Sequence, residues 1–119
     1  AEEKYPEVEK KPEITIDDFD KVQIQVGEVI KCEPVPKAKK LLVSQIKIGA
    51  ETRQIVSGIA KYYKPEEMVG KKVAVITNLK PCKLCGVESQ GMILAAGDDE
   101  GNLSVVTVDK DIVSGSEIC

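Results

Sequence analysis

Residues 73–96 read VAVIT-NLKPCKLCGVESQG-MILAA, with a polar stretch at 78–91 between two apolar segments. The flanking segments are short and apolar, the first of them β-branched, which is typical of strands. The residues between them must then connect strand to strand, and they carry Lys80 and Lys83 on the connection. The connection ends in a turn with Ser89 and Gly91, where a glycine lets a backbone or an anion approach closely. We therefore expect a β-rich fold with this connection as its candidate site.

The rest of the chain also reads as strands separated by turns. Residues 22–30 alternate apolar and polar, and Gly27 with a change of phase predicts a bulge or sharp bend. Residues 33–40, rich in proline and lysine, are predicted to be a loop. Further strands are predicted at residues 41–48, 52–57, 72–78, 91–97 and, shorter, 102–108. A capped turn at 15–19, with Ile16 and Phe19 able to face the core, precedes the first strand.

A short helix is predicted between the third and fourth strands, because Pro65 and two glutamates suit a helix start and Gly70 ends it. Five main strands with this helix and glycines at the bends predict an all-β chain with the OB-fold, a five-stranded Greek-key barrel. Another small barrel or sandwich fits the pattern as well. In the OB-fold the loops joining strands 1 to 2 and 4 to 5 flank the ligand face. Those loops hold Lys37, Lys39, Lys40, Lys80 and Lys83.

Length and composition indicate one domain. A chain of 119 residues that is 42% hydrophobic can form a single core. Residues 1–13 are dominated by Glu, Lys and Pro, so we expect a linker or tail there, or a frayed terminus, and a folded domain over residues 14–119. Ala1 in place of Met suggests a fragment or a processed product. No apolar run could cross a bilayer and no signal peptide opens the chain, so we expect a cytoplasmic protein without membrane contact.

The net charge of −3 conceals an uneven distribution. Residues 21–92 contain thirteen Lys or Arg and six Glu, whereas both flanking segments are acidic. A basic middle on an acidic chain favours a polyanion-binding face, although a solvated mixed-charge surface has the same composition. The aromatic side chains are only Phe19 and three tyrosines, so contacts to a nucleic acid should rely on phosphates and shape rather than on stacked rings.

The residue types argue against catalysis and against a cofactor or metal. The chain has no His, so acid–base chemistry and metal ligation by imidazole are excluded. Cys82 and Cys85 have the spacing of half a zinc site, but Cys32 and Cys119 are isolated, and a structural zinc needs four ligands. A redox-active dithiol is also disfavoured, because Cys82 and Cys85 lie between strands rather than at the start of a helix. Ser57 and Ser89 have no base to activate them.

Taken together, a set of short motifs resembles one family, the tRNA-binding domain appended to methionyl-tRNA synthetases. Free-standing bacterial tRNA-binding proteins and the endothelial monocyte-activating polypeptide group look similar. The resemblance runs from about residue 14 to residue 108. Its motifs are Lys21-Val22, Val26-Gly27, Pro36, Ala38, Lys40-Leu41, Arg53-Gln-Ile-Val-Ser-Gly-Ile59, Asn78-Leu-Lys-Pro81, Lys83 and Ser89-Gln-Gly-Met92.

The resemblance implies an OB-fold that grips the outside corner of tRNA without reading an anticodon and raises the tRNA affinity of a separate catalytic body. In bacterial members the domain lies at the synthetase C-terminus and forms a homodimer through strands beyond the barrel, here the segment after Gly97. The partners implied are tRNA, a second copy and the synthetase catalytic part, in cis or in trans. The implied tRNA contacts are Asn78, Lys80, Lys83, Ser89 and Met92, with Lys40 and Arg53 nearby. Gly91, Lys37 and Lys39 are added to the predicted site from the turn and loop positions described above.

The chain departs from the family pattern at five positions: Gln23 and Gln25 replace Asp and Arg, Val35 replaces His, Lys39 replaces Asp, and Cys85 replaces Arg. The two glutamines keep a hydrogen-bonding pair without its charges. A second hypothesis is a dimeric module related to the bacterial export chaperones, which share the fold and bind unfolded polypeptide in an apolar groove. The Ser89 to Met92 turn with its lysines favours the tRNA binder.

Overall fold

The computed structural model describes residues 5–119, and strands account for most of its regular structure. The prediction of a linker at residues 1–13 falls partly outside this range. Residues 5–13 form no helix or strand and are exposed. The elements, in chain order, are α1 (Ile16–Phe19), β1 (Ile24–Val35), β2 (Ala38–Ile48), β3 (Glu51–Ser57), α2 (Pro65–Met68), β4 (Lys72–Ile76), β5 (Cys82–Leu84), β6 (Val87–Ser89), β7 (Met92–Ile93), β8 (Ala95–Gly97), β9 (Leu103–Val105) and β10 (Glu117–Ile118).

The main sheet is antiparallel, with strand order β3-β2-β1-β4-β7, and β10 pairs with the start of β1. This is the order of a five-stranded Greek-key barrel, in which the first strand lies between the second and the fourth. The backbone ladder does not continue from β3 to β7. Two hairpins, β5–β6 and β8–β9, lie outside the main sheet. The all-β prediction is confirmed, and so is the short helix between strands 3 and 4.

The core lies between the inward faces of the five strands. Alternate residues of β2, among them Leu42 and Ile46, are buried with Ile55 of β3 and Val75 of β4. Met68 of α2 is fully buried in the same cluster, so the short helix contributes one large side chain to the core. No helix among residues 5–119 has the length and apolar character needed to cross a bilayer.

The predicted loop at residues 33–40 is wrong. β1 continues to Val35 and β2 begins at Ala38, so Lys37 lies in a tight turn while Lys39 and Lys40 lie on a strand. Pro34 is tolerated because β1 pairs with β4 only as far as Glu28 and has a single partner beyond it. The pattern of prolines and lysines therefore marked the end of a long hairpin.

The predicted bulge in β1 lies at Ile30 rather than at Gly27. The register against β2 shifts between Val29 and Lys31, which leaves Ile30 unpaired. Gly27 keeps regular pairing with Val73 of β4. It is a glycine for a different reason, since the side chain of Ile46 lies over its Cα.

The predicted turn at residues 15–19 forms as α1, and the Thr15 hydroxyl accepts a hydrogen bond from the Asp18 amide at 3.3 Å. The expectation that Ile16 and Phe19 face the core is wrong, since Ile16 is 70% exposed and Phe19 is exposed as well. The helix precedes the first strand of the barrel, and the strands fill the core without it.

The predicted strand at residues 91–97 is divided in two. β7 pairs with β4, and after Leu94 the chain pairs as β8 with β9. Leu94 links the barrel to the second hairpin. Its amide donates to the Ala74 carbonyl of β4, and its carbonyl accepts from the Val106 amide after β9, each at 2.9 Å. The chain therefore leaves the barrel for the second hairpin at this residue.

Candidate nucleic-acid interface

The connection between β4 and β7 folds into the β5–β6 hairpin. Its two-residue turn, Cys85-Gly86, has φ angles of 49° and 80°, the left-handed region that tight hairpin turns require. This hairpin was not predicted, because the turn position usually held by Asn, Asp or Gly is a cysteine here. The signal that could have found it is Gly86 between two short alternating segments.

The two faces of the hairpin differ. Cys82 pairs with Ser89, Lys83 with Glu88, and Leu84 with Val87. Side chains alternate along each strand, so Cys82, Leu84, Val87 and Ser89 share one face, and Lys83 with Glu88 shares the other. Ser89 is buried, which shows that the first face is turned to the barrel. Lys83 therefore lies on the outer face, directly opposite a carboxylate.

Ser89 anchors the hairpin to the barrel. Its side chain is 2% exposed, and its hydroxyl accepts from the Val56 amide at 2.9 Å and donates to the Gly91 carbonyl at 3.0 Å. Ser89 was predicted to contact a ligand. The structure places its hydroxyl between β3 and the turn, where it positions the hairpin.

The residues on either side of Ser89 extend this anchor. The Gln90 amide donates to the Gln54 carbonyl at 2.7 Å, and the Gln54 amide donates to Gln90 Oε1 at 3.1 Å. Gln54 Nε2 donates to the Glu88 carbonyl at 2.8 Å. These bonds join β3 to the hairpin at the place where the barrel ladder is interrupted.

Replacing Ser89 by alanine is expected to lower the free energy of unfolding by about 1–3 kcal/mol, because the buried Val56 amide loses its acceptor. The measurement is urea denaturation followed by far-UV circular dichroism. Ser104→Ala is the matched control, since Ser104 is exposed and, within residues 5–119, its hydroxyl donates only to the neighbouring Val105 carbonyl. We expect the control to change stability by less than about 0.5 kcal/mol. Equal losses of unfolding free energy in the two variants would contradict the anchoring role of Ser89.

Another part of the chain lies close to the Gly91 Cα, as predicted from the position of this glycine in the turn. A Cβ added there would lie 2.9 Å from the Ile76 carbonyl oxygen and 3.2 Å from Ile55 Cδ1. The group closest to Gly91 is therefore the backbone of β4. Gly91 therefore allows β7 to begin against the barrel immediately after the Ser89 anchor.

Arg53 and Asn78 hold the two ends of the connection. Arg53 forms an ion pair with Glu51 at 2.9 Å and donates to the carbonyls of Thr77 and Gln90. Asn78 accepts from the Gln23 amide at 2.9 Å and donates to the Lys21 carbonyl at 2.6 Å. Both side chains are engaged within the chain, and as ligand contacts both stay predictions.

The predicted lysines lie in two groups. Lys80 and Lys83 lie on the connection, and Lys37, Lys39 and Lys40 lie at the end of the β1–β2 hairpin. All five are exposed, and none forms an ion pair with another residue of the range 5–119. The Lys40 carbonyl accepts from the Ala60 amide at 3.2 Å, so the second group adjoins the segment that follows β3.

An apolar groove of about 500 Å³ lies along the inner face of the β5–β6 hairpin. Residues 56–59 form one wall, the inner face of the hairpin forms another, and residues 91–95 with Leu103 of β9 complete the lining. Leu79, Leu84 and Met92 line it with exposed fractions of 46%, 39% and 44%. Lys80 lines it as well. Met92 and Lys80 were predicted from the sequence, but Leu79 and Leu84 were not. The signal that could have found the two leucines is an apolar side chain within a polar connection.

Gln23 and Gln25 both contact Thr77 at the end of β4, and Gln25 also contacts the C-terminal segment. The Thr77 hydroxyl lies 2.9 Å from Gln25 Oε1 and 3.3 Å from Gln23 Oε1. Gln25 Nε2 donates to the Gly115 carbonyl at 2.9 Å. These side-chain contacts of both glutamines are made within the chain.

The four cysteines are free thiols. Cys82 and Cys85 are exposed on the hairpin, whereas Cys32 is buried and accepts a hydrogen bond from the Ser44 hydroxyl at 3.4 Å. Burial raises the pKa of the Cys32 thiol, which keeps it in the unreactive protonated form. Within residues 5–119 no three Cys, Asp or Glu side chains come together in a group that could hold a metal ion.

Comparison with known proteins places this arrangement in a family. A family model described as "Putative tRNA binding domain" matches residues 24–117. A methionine–tRNA ligase from Methanocaldococcus jannaschii is 61% identical over 110 residues, covering 92% of this chain and 17% of the ligase. The chain thus spans less than a fifth of the length of this curated relative.

Solved structures agree with this assignment. A MetRS related protein from Pyrococcus horikoshii superposes with a TM-score of 0.87 at 38% identity, covering 92% of this chain and 100% of that one. The chaperone CsaA from Bacillus anthracis superposes with a TM-score of 0.82 at 21% identity, covering 91% of this chain and 100% of its own. The second likeness shows the fold alone, and with the first it confirms the OB-fold prediction. The chain belongs to the tRNA-binding domain family, whose members include a region of methionine–tRNA ligases.

Proposed function

We propose that the chain is a non-catalytic module that binds tRNA largely without regard to sequence and raises the tRNA affinity of a methionine–tRNA ligase in the cytoplasm. The catalytic part would be joined to it in cis or would associate in trans. One observation carries the proposal: the connection anchored by Ser89 presents Lys80 and Lys83, which form no ion pair within residues 5–119, and Lys80 lines a groove. Exposed lysines that bind phosphates release counterions from the nucleic acid, and this release contributes favourable binding free energy.

The hydrogen bonds of the site support a binding role rather than a chemical one. Ser89, Asn78 and Arg53 engage backbone groups that hold the connection in place. The lysines they position are point charges suited to phosphate oxygens. Positioning through phosphates carries no sequence information, so the module should accept many tRNAs.

We also propose that the module forms a homodimer and that an N-terminal segment tethers it to the catalytic part. Val106, Ile112 and Val113, in the segment after Gly97, are exposed apolar side chains that a second copy could cover. Residues 1–13 would be the tether and residues 14–119 the folded module. In support, residues 5–13 lack regular structure, although the Glu7 amide donates to Asp99 at 3.0 Å.

Fluorescence anisotropy with labelled, unfractionated tRNA over a salt series tests the function. We expect affinity to fall by orders of magnitude between about 50 and 200 mM salt, with folded tRNA preferred over single-stranded DNA. A reduced, permanently unfolded polypeptide serves as the competitor. If tRNA fails to bind at low salt while the polypeptide binds, the chaperone function replaces this one.

A further inference from the structure

Phosphate binding explains the lysines of the interface but not the apolar groove beside them. Leu79, Leu84 and Met92 are large, roughly 40% or more exposed, and gathered around one concavity. Its volume of about 500 Å³ falls within the range of small-ligand sites, about 300–1,000 Å³. Exposed apolar side chains gathered in this way mark a binding site more often than scattered ones do.

The lining of the groove restricts the chemistry of its occupant. Lys80 is the one charged residue among those that line it within residues 5–119. An occupant with an apolar face joined to an anion would use both the leucines and the lysine. An unpaired nucleotide has this form, because its base is flat and its phosphates are charged.

We propose that the groove takes one unpaired base of the bound RNA, with Lys80 at the rim contacting an adjoining phosphate. The inference rests on the proposed function and extends it from phosphates to a base. The base is held between aliphatic side chains and the Met92 thioether, which contacts aromatic rings favourably. The groove thereby takes the role that stacked aromatic rings have in proteins that bind single-stranded nucleic acids.

Ser57 supplies a polar group in the groove wall. Its hydroxyl oxygen is shielded from solvent and makes no hydrogen bond within residues 5–119. Buried hydroxyls usually have a partner. Rotation of the Ser57 side chain about χ1 would turn the hydroxyl into the groove, where the edge of an inserted base offers donors and acceptors, whereas an aliphatic peptide side chain offers neither.

The experiment maps the bases and the backbone of whole tRNA separately. Dimethyl sulfate and carbodiimide modification report the base edges, and hydroxyl-radical cleavage reports the backbone, with protein at saturation. The variants are Leu79→Ser and Leu84→Ser, tested singly because both side chains are already exposed. Val69→Ser is the matched control, since Val69 is 48% exposed and outside the groove lining.

We expect the wild-type module and the Val69 variant to protect at least one unpaired base. Each leucine variant should lose that protection and bind tRNA about 5- to 10-fold more weakly, while the backbone footprint at saturation persists. Base reactivity that is the same in wild type and leucine variants, under an intact backbone footprint, overturns the inference and leaves the proposed function standing. Absence of any backbone footprint overturns both. Loss of unfolded-polypeptide binding in the leucine variants, with base reactivity unchanged, assigns the groove to peptide instead.

Discussion

Replacing Lys80 and Lys83 together by alanine is expected to weaken tRNA binding about 10- to 30-fold at 0.1 M salt, from a combined loss of about 2 kcal/mol for the two phosphate contacts. The plot of log affinity against log salt should flatten by about two units, one for each lost contact. All tRNAs should be affected alike, because the contacts are to the backbone. Anisotropy titration over a salt series measures both quantities.

The two lysines should contribute unequally. Lys80 lines the groove, whereas Lys83 lies on the outer face of the hairpin opposite Glu88. A carboxylate directly across the strand pair offsets part of the positive potential at Lys83. The single Lys80→Ala variant should therefore account for most of the loss.

The control for the lysine pair removes the same charge elsewhere. Lys21 and Lys31 are ion-paired with Asp18 and Glu33 at 3.4 Å and 3.1 Å, and replacing both by alanine also lowers the net charge by two. The control should retain nearly all of its affinity. Equal weakening of tRNA binding in the two double variants would show that overall charge, and not the lysines of the connection, attracts the tRNA.

Gly27→Ala is expected to destabilise the fold by about 1–3 kcal/mol, the usual cost of overpacking a core. A Cβ at this position would lie 2.5 Å from Ile46 Cγ2 and 3.0 Å from Val75 Cγ2, both on neighbouring strands. In open space an alanine would stabilise a strand by about 0.5–1 kcal/mol, because it restricts the unfolded chain. The clash outweighs that gain here.

Thermal unfolding followed by far-UV circular dichroism measures the effect, expected as a fall of about 5–15 °C in Tm. Gly58→Ala is the control, because the nearest atom to an added Cβ there is Leu41 Cδ2 at 4.0 Å. Its Tm should change by less than about 3 °C. A Gly27 variant as stable as the Gly58 variant would show that the barrel can relax around the added methyl group.

Local patterns predicted the parts of the fold that depend on neighbouring residues. The alternation of β2 and β4, the Thr15 cap and the proline start of α2 are each properties of a few adjacent side chains. The Ser89-Gln-Gly-Met92 motif, together with the other short motifs, indicated the family, and the structure locates the candidate site on the same connection. Predictions were wrong where a partner strand decided the outcome, as at Pro34, which stays in β1 because one side of that strand is unpaired.

The roles of the site residues depended on tertiary structure. The sequence alone determined that the chain is a small β barrel with lysines on one connection, because alternation and turn residues are local. Only the folded chain decided that Ser89 binds Val56, 33 residues away, and that Leu79, Leu84 and Ile59 share a groove. Hydrogen-bond partners and grooves are made by residues far apart in the chain, and no local pattern encodes which of them meet.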